Sequence, residues 1–380
     1  MFEAAGDGDR SEEMSPSVTL ARKVLSWLLF FMICLGLGYP VLDRYDPAKL
    51  AGTSDVAVYR DLVIGGQPQN AAEEHDPSAR FAQSENYYRV LVPYAAKPFY
   101  WLAKGRVGSW DPALLGLPMA NALFTATTAS LLVAVGQRLG FNYSTGLLAA
   151  ALYLLNFAVS NLNLVGLIDS GEGCFVMAVV WSLLTERWFL LPLWGVLGAL
   201  AKETFAPLST LFAMGWWLAG VQQRLGRSSR LLWVCALGVS SLSTVTMAMS
   251  TVAGGWIWPW EFAKSMHVDV GFLAGLRGCV LDHTFWYIFI WLLPLGLGRL
   301  LSLPRPWVVA SALAFGGALA LGAYNNAGDN TARALFNVAG PILSLSTAIF
   351  LTGAMPASGD SPEGAAGGAE GRTSGAGKPV

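Results

Sequence analysis

The chain has 380 residues, of which 54% are hydrophobic and 13% charged, with a mean hydropathy of +0.48 and a formal net charge of -1. A soluble domain of this length carries far more charge, and a net charge this small excludes a global basic field for nucleic acid. The cysteines Cys34, Cys174, Cys235 and Cys279 lie in or beside apolar segments, without CxxC or Cys/His ligand spacing, which argues against a disulfide framework or a structural zinc site. The composition is that of an all-α, polytopic membrane bundle.

Residues 1–19 are polar, and 355–380 are Gly, Ala, Ser and Pro with a few charges. Such segments bury too little apolar surface to order themselves, and they read as disordered cytoplasmic tails around a membrane domain at 20–354. Within that domain the apolar runs predict about ten membrane helices, near 24–42, 113–135, 144–164, 173–185, 188–201, 205–220, 231–250, 284–300, 306–323 and 332–354. The first follows Arg22 and Lys23, is long enough to span and lacks a small-residue cleavage site, so it reads as a retained helix. A long outer loop, 43–112, comes next. In it, RVLVPYAAKPFYWLAK (89–104) has two prolines and flanking aromatic and basic residues, which suit a helix lying in the interface plane.

Arg22, Lys23, Arg138, Arg187, Arg224, Arg227, Arg230, Arg299 and Arg305 fall on alternate connections. The positive-inside rule then puts both termini in the cytoplasm of a multi-pass plasma or inner membrane protein. Keeping 173–185 and 188–201 as two helices is what holds the three-arginine loop inside. With this threading, the groups able to do chemistry gather on the non-cytoplasmic face. Asp55 and Arg89 are in the first loop, Asp169 and Glu172 in the next outer turn, and Lys202 and Glu203 at a hairpin. His267, Asp269, Asp282 and His283 follow residue 250, and Asp329 and Arg333 enter the last helix. Ionisable groups near bilayer depth are costly, and pairs of opposite sign there mark a cavity or a substrate pathway.

Four segments in order, DVAVYRDLV (55–63), YYRVLVPYAAKP (87–98), LAKETFAPL (200–208) and DNTARALFNVAGP (329–341), resemble the GT-C superfamily. Its members are integral-membrane glycosyltransferases that use lipid-phosphate-linked sugars, and the resemblance runs over 24–354. It implies an acidic first outer loop with interfacial helices, a polyprenyl-phosphate sugar as donor and an aspartate as general base, with inversion at the sugar carbon. Asp55 matches that aspartate best, with Asp43, Asp46 and Asp61 as rivals. The chain lacks a folded soluble domain after the membrane part and the double-acidic pair of the protein O-mannosyltransferase branch. The implied transfer is of a hexosyl or pentosyl group, mannosyltransferase-like, in the assembly of a cell-envelope glycan. Its acceptor is left open between lipid, polysaccharide and protein.

For such a transfer, Lys202, Arg333 and Arg89 are the cations available to a phosphate. Glu203 orients Lys202 or contacts sugar hydroxyls, Tyr59 and Asp169 complete the substrate-binding set, and Trp258, within WIWPWEF (256–262), offers a stacking face. Each has a plainer reading. Lys202 and Glu203 also suit an exposed turn, Arg333 a headgroup anchor, Trp258 an interfacial aromatic belt, and Asp169 with Glu172 the N-cap of the following helix. No cofactor is assigned. A divalent cation stays open at His267, Asp269, Asp282 and His283 with EEHD (73–76). A transporter or flippase of a lipid-linked envelope component and a catalytically silent relative are the competing functions. The gathering of charge on one face, with no internal repeat, favours the enzyme.

Overall fold

The computed structural model describes residues 16–44, 55–66, 86–108, 110–220, 227–265, 271–325 and 328–354, and among them every regular element is helical. Five helices are long and apolar enough to cross a membrane: Leu20–Pro40, Pro112–Arg138, Ser229–Ala253, Arg305–Asn325 and Asn330–Thr352. Shorter apolar helices cover Tyr143–Leu154, Trp188–Ala201, Phe205–Ala219 and Phe272–Leu281.

Helix α1 (Pro16–Arg44) starts four residues inside the stretch expected to be a tail. It lies at the periphery, where 11% of its span is buried. Trp27 Nε1 donates to Thr127 Oγ1 at 3.1 Å, and the Arg22 guanidinium sits 3.4 Å over the Tyr143 ring. The first loop carries α2 (Asp55–Ile64) and α3 (Leu91–Ala103), the latter where the interfacial helix is expected. Tyr94, Trp101 and Leu102 are exposed on α3, whereas Val92 and Ala96 are buried.

The long helix α4 (Pro112–Arg138) starts on a strong local signal. Asp111 at the N-cap accepts from the amides of Ala113 (2.8 Å) and Leu114 (3.2 Å), ahead of a proline whose missing N–H costs nothing there. The same carboxylate accepts from Arg60 Nε at 2.6 Å, which pins α2 to the start of α4. Helix α3 packs on α4 at Gly116, where a Cβ would stand 2.9 Å from the Ala96 carbonyl oxygen.

Two expected spans are broken. Helix α5 (Tyr143–Leu154) stops ten residues short of the predicted 164, and a π-helical turn follows at Val159–Asn163. Fully buried Asn156 is the cause. Its Oδ1 takes the Ala158 amide at 2.9 Å and its Nδ2 donates to the Ile288 carbonyl at 2.9 Å, an alternative to the helical ladder.

Helices α6 (Asp169–Leu184) and α7 (Leu191–Ala201) are separate, as expected, with Glu186 at φ 58 in the turn between them. Helix α8 (Phe205–Ala219) follows a three-residue corner, and α9 (Arg227–Ala253) packs along α7 and α8. After α10 (Pro259–Ser265) and α11 (Phe272–Leu281), the predicted span 284–300 is divided into α12 (His283–Phe289) and α13 (Leu292–Leu297). Pro294 explains this break: a helix continuing through it would lose the bond to the Ile290 carbonyl and clash with it.

Helices α14 (Arg305–Asn325) and α15 (Gly328–Thr352) complete the bundle. Helix α15 is its axis, with 89% of its span buried and with α5, α6, α13 and α14 packed around it. Tyr153 of α5 stacks on Phe336 of α15, ring centroids 5.2 Å apart. In lipid, association of this kind rests on close packing and interhelical hydrogen bonds rather than on escape from water.

The fit of α3 on α4 makes Gly116→Ala destabilising by about 1–3 kcal/mol, because the added methyl meets backbone rather than a movable side chain. Thermal unfolding of the purified protein in detergent measures it against Gly316→Ala, where the added carbon meets nothing within 4 Å. Equal melting of the two variants would refute the close approach.

Candidate active site

The α7–α8 corner and ends of α2, α6, α14 and α15, with residues 86–89, enclose a cavity of about 270 Å³. Asp55, Tyr59, Arg89, Asp169, Lys202, Glu203 and Arg333 all line it. Residues separated by nearly three hundred positions in sequence therefore face one space.

Lys202 ends α7 in an extended conformation (φ -159, ψ 138), and its amide closes the last turn on the Gly198 carbonyl at 2.9 Å. Its Nζ donates to Asp169 Oδ1 at 2.5 Å, while Arg333 NH1 on α15 donates to Asp169 Oδ2 at 3.2 Å. Asp169 is 1% exposed, so its desolvation is offset by two cations rather than one. The charge web continues behind it. Glu172, one turn further along α6, accepts from Thr204 Oγ1 at 2.6 Å and from Asn337 Nδ2 at 2.8 Å, with Lys202 Nζ 3.7 Å away. The two carboxylates are thus not helix caps. The N-cap position is Ile168, whose side chain caps nothing, although both acids still suit the positive end of the helix dipole.

A second pair closes the other side. Arg89 donates through Nε (2.7 Å) and NH2 (2.5 Å) to the two Glu203 oxygens, and through NH1 to the Tyr59 hydroxyl at 3.1 Å. This parallel fork joins the first loop to the α7–α8 corner. Burial acts to raise the Glu203 carboxyl, but the Arg89 guanidinium outweighs it and holds the group below the ordinary glutamate value. Burial pushes the Tyr59 phenol up, so it stays a hydroxyl donor and acceptor. Asn86 precedes Arg89 in a left-handed turn (φ 73), and its Nδ2 donates to Asp55 Oδ1 at 3.0 Å. Among the described residues Asp55 makes no ion pair, unlike the other three acids of this web.

Trp258 is not among the cavity's lining residues. It stacks on Trp260 at 4.5 Å and meets Trp256 edge-on at 5.0 Å, in and beside α10. Of the rival aspartates, Asp61 does not line the cavity and accepts from the Tyr87 hydroxyl at 3.4 Å, with Arg60 NH1 3.6 Å away. Asp46 and the side chain of Asp43 lie outside the described residues, as do His267, Asp269 and residues 73–76. Asp282 caps α12 through the Thr284 amide at 2.7 Å, with His283 Nδ1 3.9 Å from its other oxygen. No group of three or more His, Cys, Asp or Glu able to hold a metal occurs among the described residues. Sequence reasoning missed Asn86, Asn337 and the part played by Glu172. One signal was there for Asn337: it follows Arg333 by four residues and so shares its helix face.

Compared with protein-family models, curated proteins and solved structures, the chain gives no match.

Because the folded Glu203 carboxyl titrates below its unfolded value, the fork contributes stability in full above about pH 4.3, and loses it as pH falls toward the folded value. Melting in detergent between pH 6 and 3 is expected to fall more steeply for the wild type than for Glu203→Gln. Parallel curves would contradict the charge pairing.

Proposed function

We propose that the chain is an inverting glycosyltransferase of the GT-C type, moving a sugar from a polyprenyl-phosphate donor to an acceptor hydroxyl on the non-cytoplasmic face of a membrane. The observation that carries this reading is the meeting of an acid that makes no ion pair among the described residues, Asp55, with two cations preset by a shared carboxylate, in a single cavity.

Transfer from a phosphate-linked sugar makes two demands. The acceptor hydroxyl must lose its proton as its oxygen bonds to the anomeric carbon, and the breaking bond between that carbon and the phosphate oxygen leaves charge on the phosphate. A phosphate whose second pKa is about 6 needs little protonation to leave. One carboxylate base and an electrostatic clamp therefore suffice.

Asp55 suits the first task, since no cation pairs with it among the described residues and Asn86 fixes one oxygen. Lys202 and Arg333 suit the second, held at Asp169 before any ligand arrives, so that little reorganisation accompanies the reaction. Tyr59, Arg89 and Glu203 form a linked hydrogen-bonding wall of the kind sugar hydroxyls use. Leu167, Ile168, Leu208 and Leu321 add an apolar side to the same cavity, compatible with a lipid-linked donor.

Membrane vesicles offered a panel of labelled polyprenyl-phosphate sugars test the reading. Asp55→Asn is expected to lower transfer by about 10²–10⁴-fold at unchanged protein level. Lys202→Ala and Arg333→Ala are each expected to lower it by about 10²–10³-fold. Undiminished transfer by Asp55→Asn removes the base, and undiminished transfer by the double Lys202→Ala, Arg333→Ala variant removes the clamp.

A further inference from the structure

The proposed reaction leaves the polar residues on one side of the cavity without a task. The charged groups come from α2, residues 86–89, α6, the α7–α8 corner and α15, whereas α14 adds a neutral stripe. Ala318, Leu321, Gly322 and Asn325 all line the cavity, and their spacing of three and four residues puts them on one face of that helix. Asn325 ends the stripe. Its Oδ1 is buried and has no hydrogen-bond partner among the described residues.

We propose that Asn325 is a specificity-determining residue: its carboxamide receives a hydroxyl of the sugar on the lipid-linked donor, and the wall it belongs to selects a neutral sugar. The inference rests on the glycosyl-transfer reading and deepens it by giving the sugar a place and a chemical class.

A ligand accounts for this side chain better than a structural role does. A buried acceptor without a donor is unfavourable, and folded proteins keep few of them. An asparagine kept for structure pairs both ends of its amide, as Asn156 does where the expected span breaks after α5. At Asn325 the acceptor stands unpaired beside a cavity instead. The χ2 torsion of an asparagine is soft, so its amide can swing toward an incoming O–H.

The placement suits a sugar joined to a clamped phosphate. Thr331 of α15 packs into the space that a Gly322 side chain would take, and Cys279 Sγ of α11 donates to Thr331 Oγ1 at 3.6 Å. That contact sets α14 and α15 level at these two residues. Asn325, almost one turn past Gly322, then stands about level with the first turn of α15, one to two turns from Arg333. A phosphate held by Lys202 and Arg333 leaves the far edge of its sugar toward Asn325, with Asn330 of α15 on the same wall. Apart from Arg333, the described lining residues of α14 and α15 are uncharged, so this wall offers no second cation to an acidic sugar.

Equilibrium binding to the purified full chain in detergent, with no acceptor present, separates the sugar from the phosphate. The probes are bare polyprenyl phosphate and polyprenyl phosphates carrying mannose, glucose, galactose, arabinose or glucuronate. The wild type is expected to bind at least one neutral-sugar lipid more tightly than the bare lipid, and the glucuronate lipid no more tightly. Asn325→Leu is expected to lose about five- to tenfold of that preference while binding the bare lipid as the wild type does. Leucine is close to asparagine in size and removes an unpaired buried acceptor, so the melting temperature is expected to hold or rise. Wild-type preference retained in Asn325→Leu overturns the inference and leaves the donor reading standing. A lower melting temperature with weakened binding of the bare lipid also overturns it, because Asn325 would then be structural, and tightest binding of the glucuronate lipid overturns the neutral class. A wild type that binds every sugar-bearing lipid no better than the bare one removes the donor reading, and this inference with it.

Discussion

One buried carboxylate shared by two cations organises this protein. Asp169 comes from the first turn of α6, Lys202 from a corner 33 residues later, and Arg333 from the central helix 164 residues away. Each charge on its own would be intolerable at its depth, so none of the three segments can settle into place without the others. The charge web is thus a condition of the packing as much as a feature of the cavity. Arg89 and Glu203 extend the same logic outward, tying a loop arm to the corner by a two-bond fork.

That arrangement has a chemical meaning. Catalysis at a phosphate-linked carbon gains most from charges that are fixed before the bond breaks, in surroundings where water does not screen them. Here the cations are fixed by acids that are themselves buried and hydrogen-bonded. The acid proposed to move a proton, Asp55, makes no ion pair among the described residues. On the proposed reading, the carboxylates are divided between those that hold cations, Asp169 and Glu203, and the one that reacts, Asp55.

Much of the site was legible in the sequence because charge is rare in this chain, and a charge in an apolar setting announces itself. Lys202, Glu203 and Arg333 stood out for that reason, and the alternation of basic loops put their segments on one face. Trp258 lies outside the cavity, and sequence could not separate the two readings because an aromatic cluster has the same signature at a membrane interface as on a sugar platform. Asp169 and Glu172 read as caps because they open a helix, and nothing nearby in sequence marks partners at Thr204 and Asn337. The broken spans were hidden for a related reason. Hydropathy sees 144–164 and 284–300 as continuous, whereas the backbone obeys one asparagine and one proline inside them.

Asp111 joins two tasks in a single side chain. One oxygen closes the amides that open α4, and the other takes Arg60, five residues beyond Asp55. The arm bearing Asp55, the proposed base, is therefore registered to the start of a membrane-length helix rather than to a loop. If α4 spans a bilayer, the position of Asp55 along the membrane normal is then set by the length of that helix, through Asp111 and Arg60.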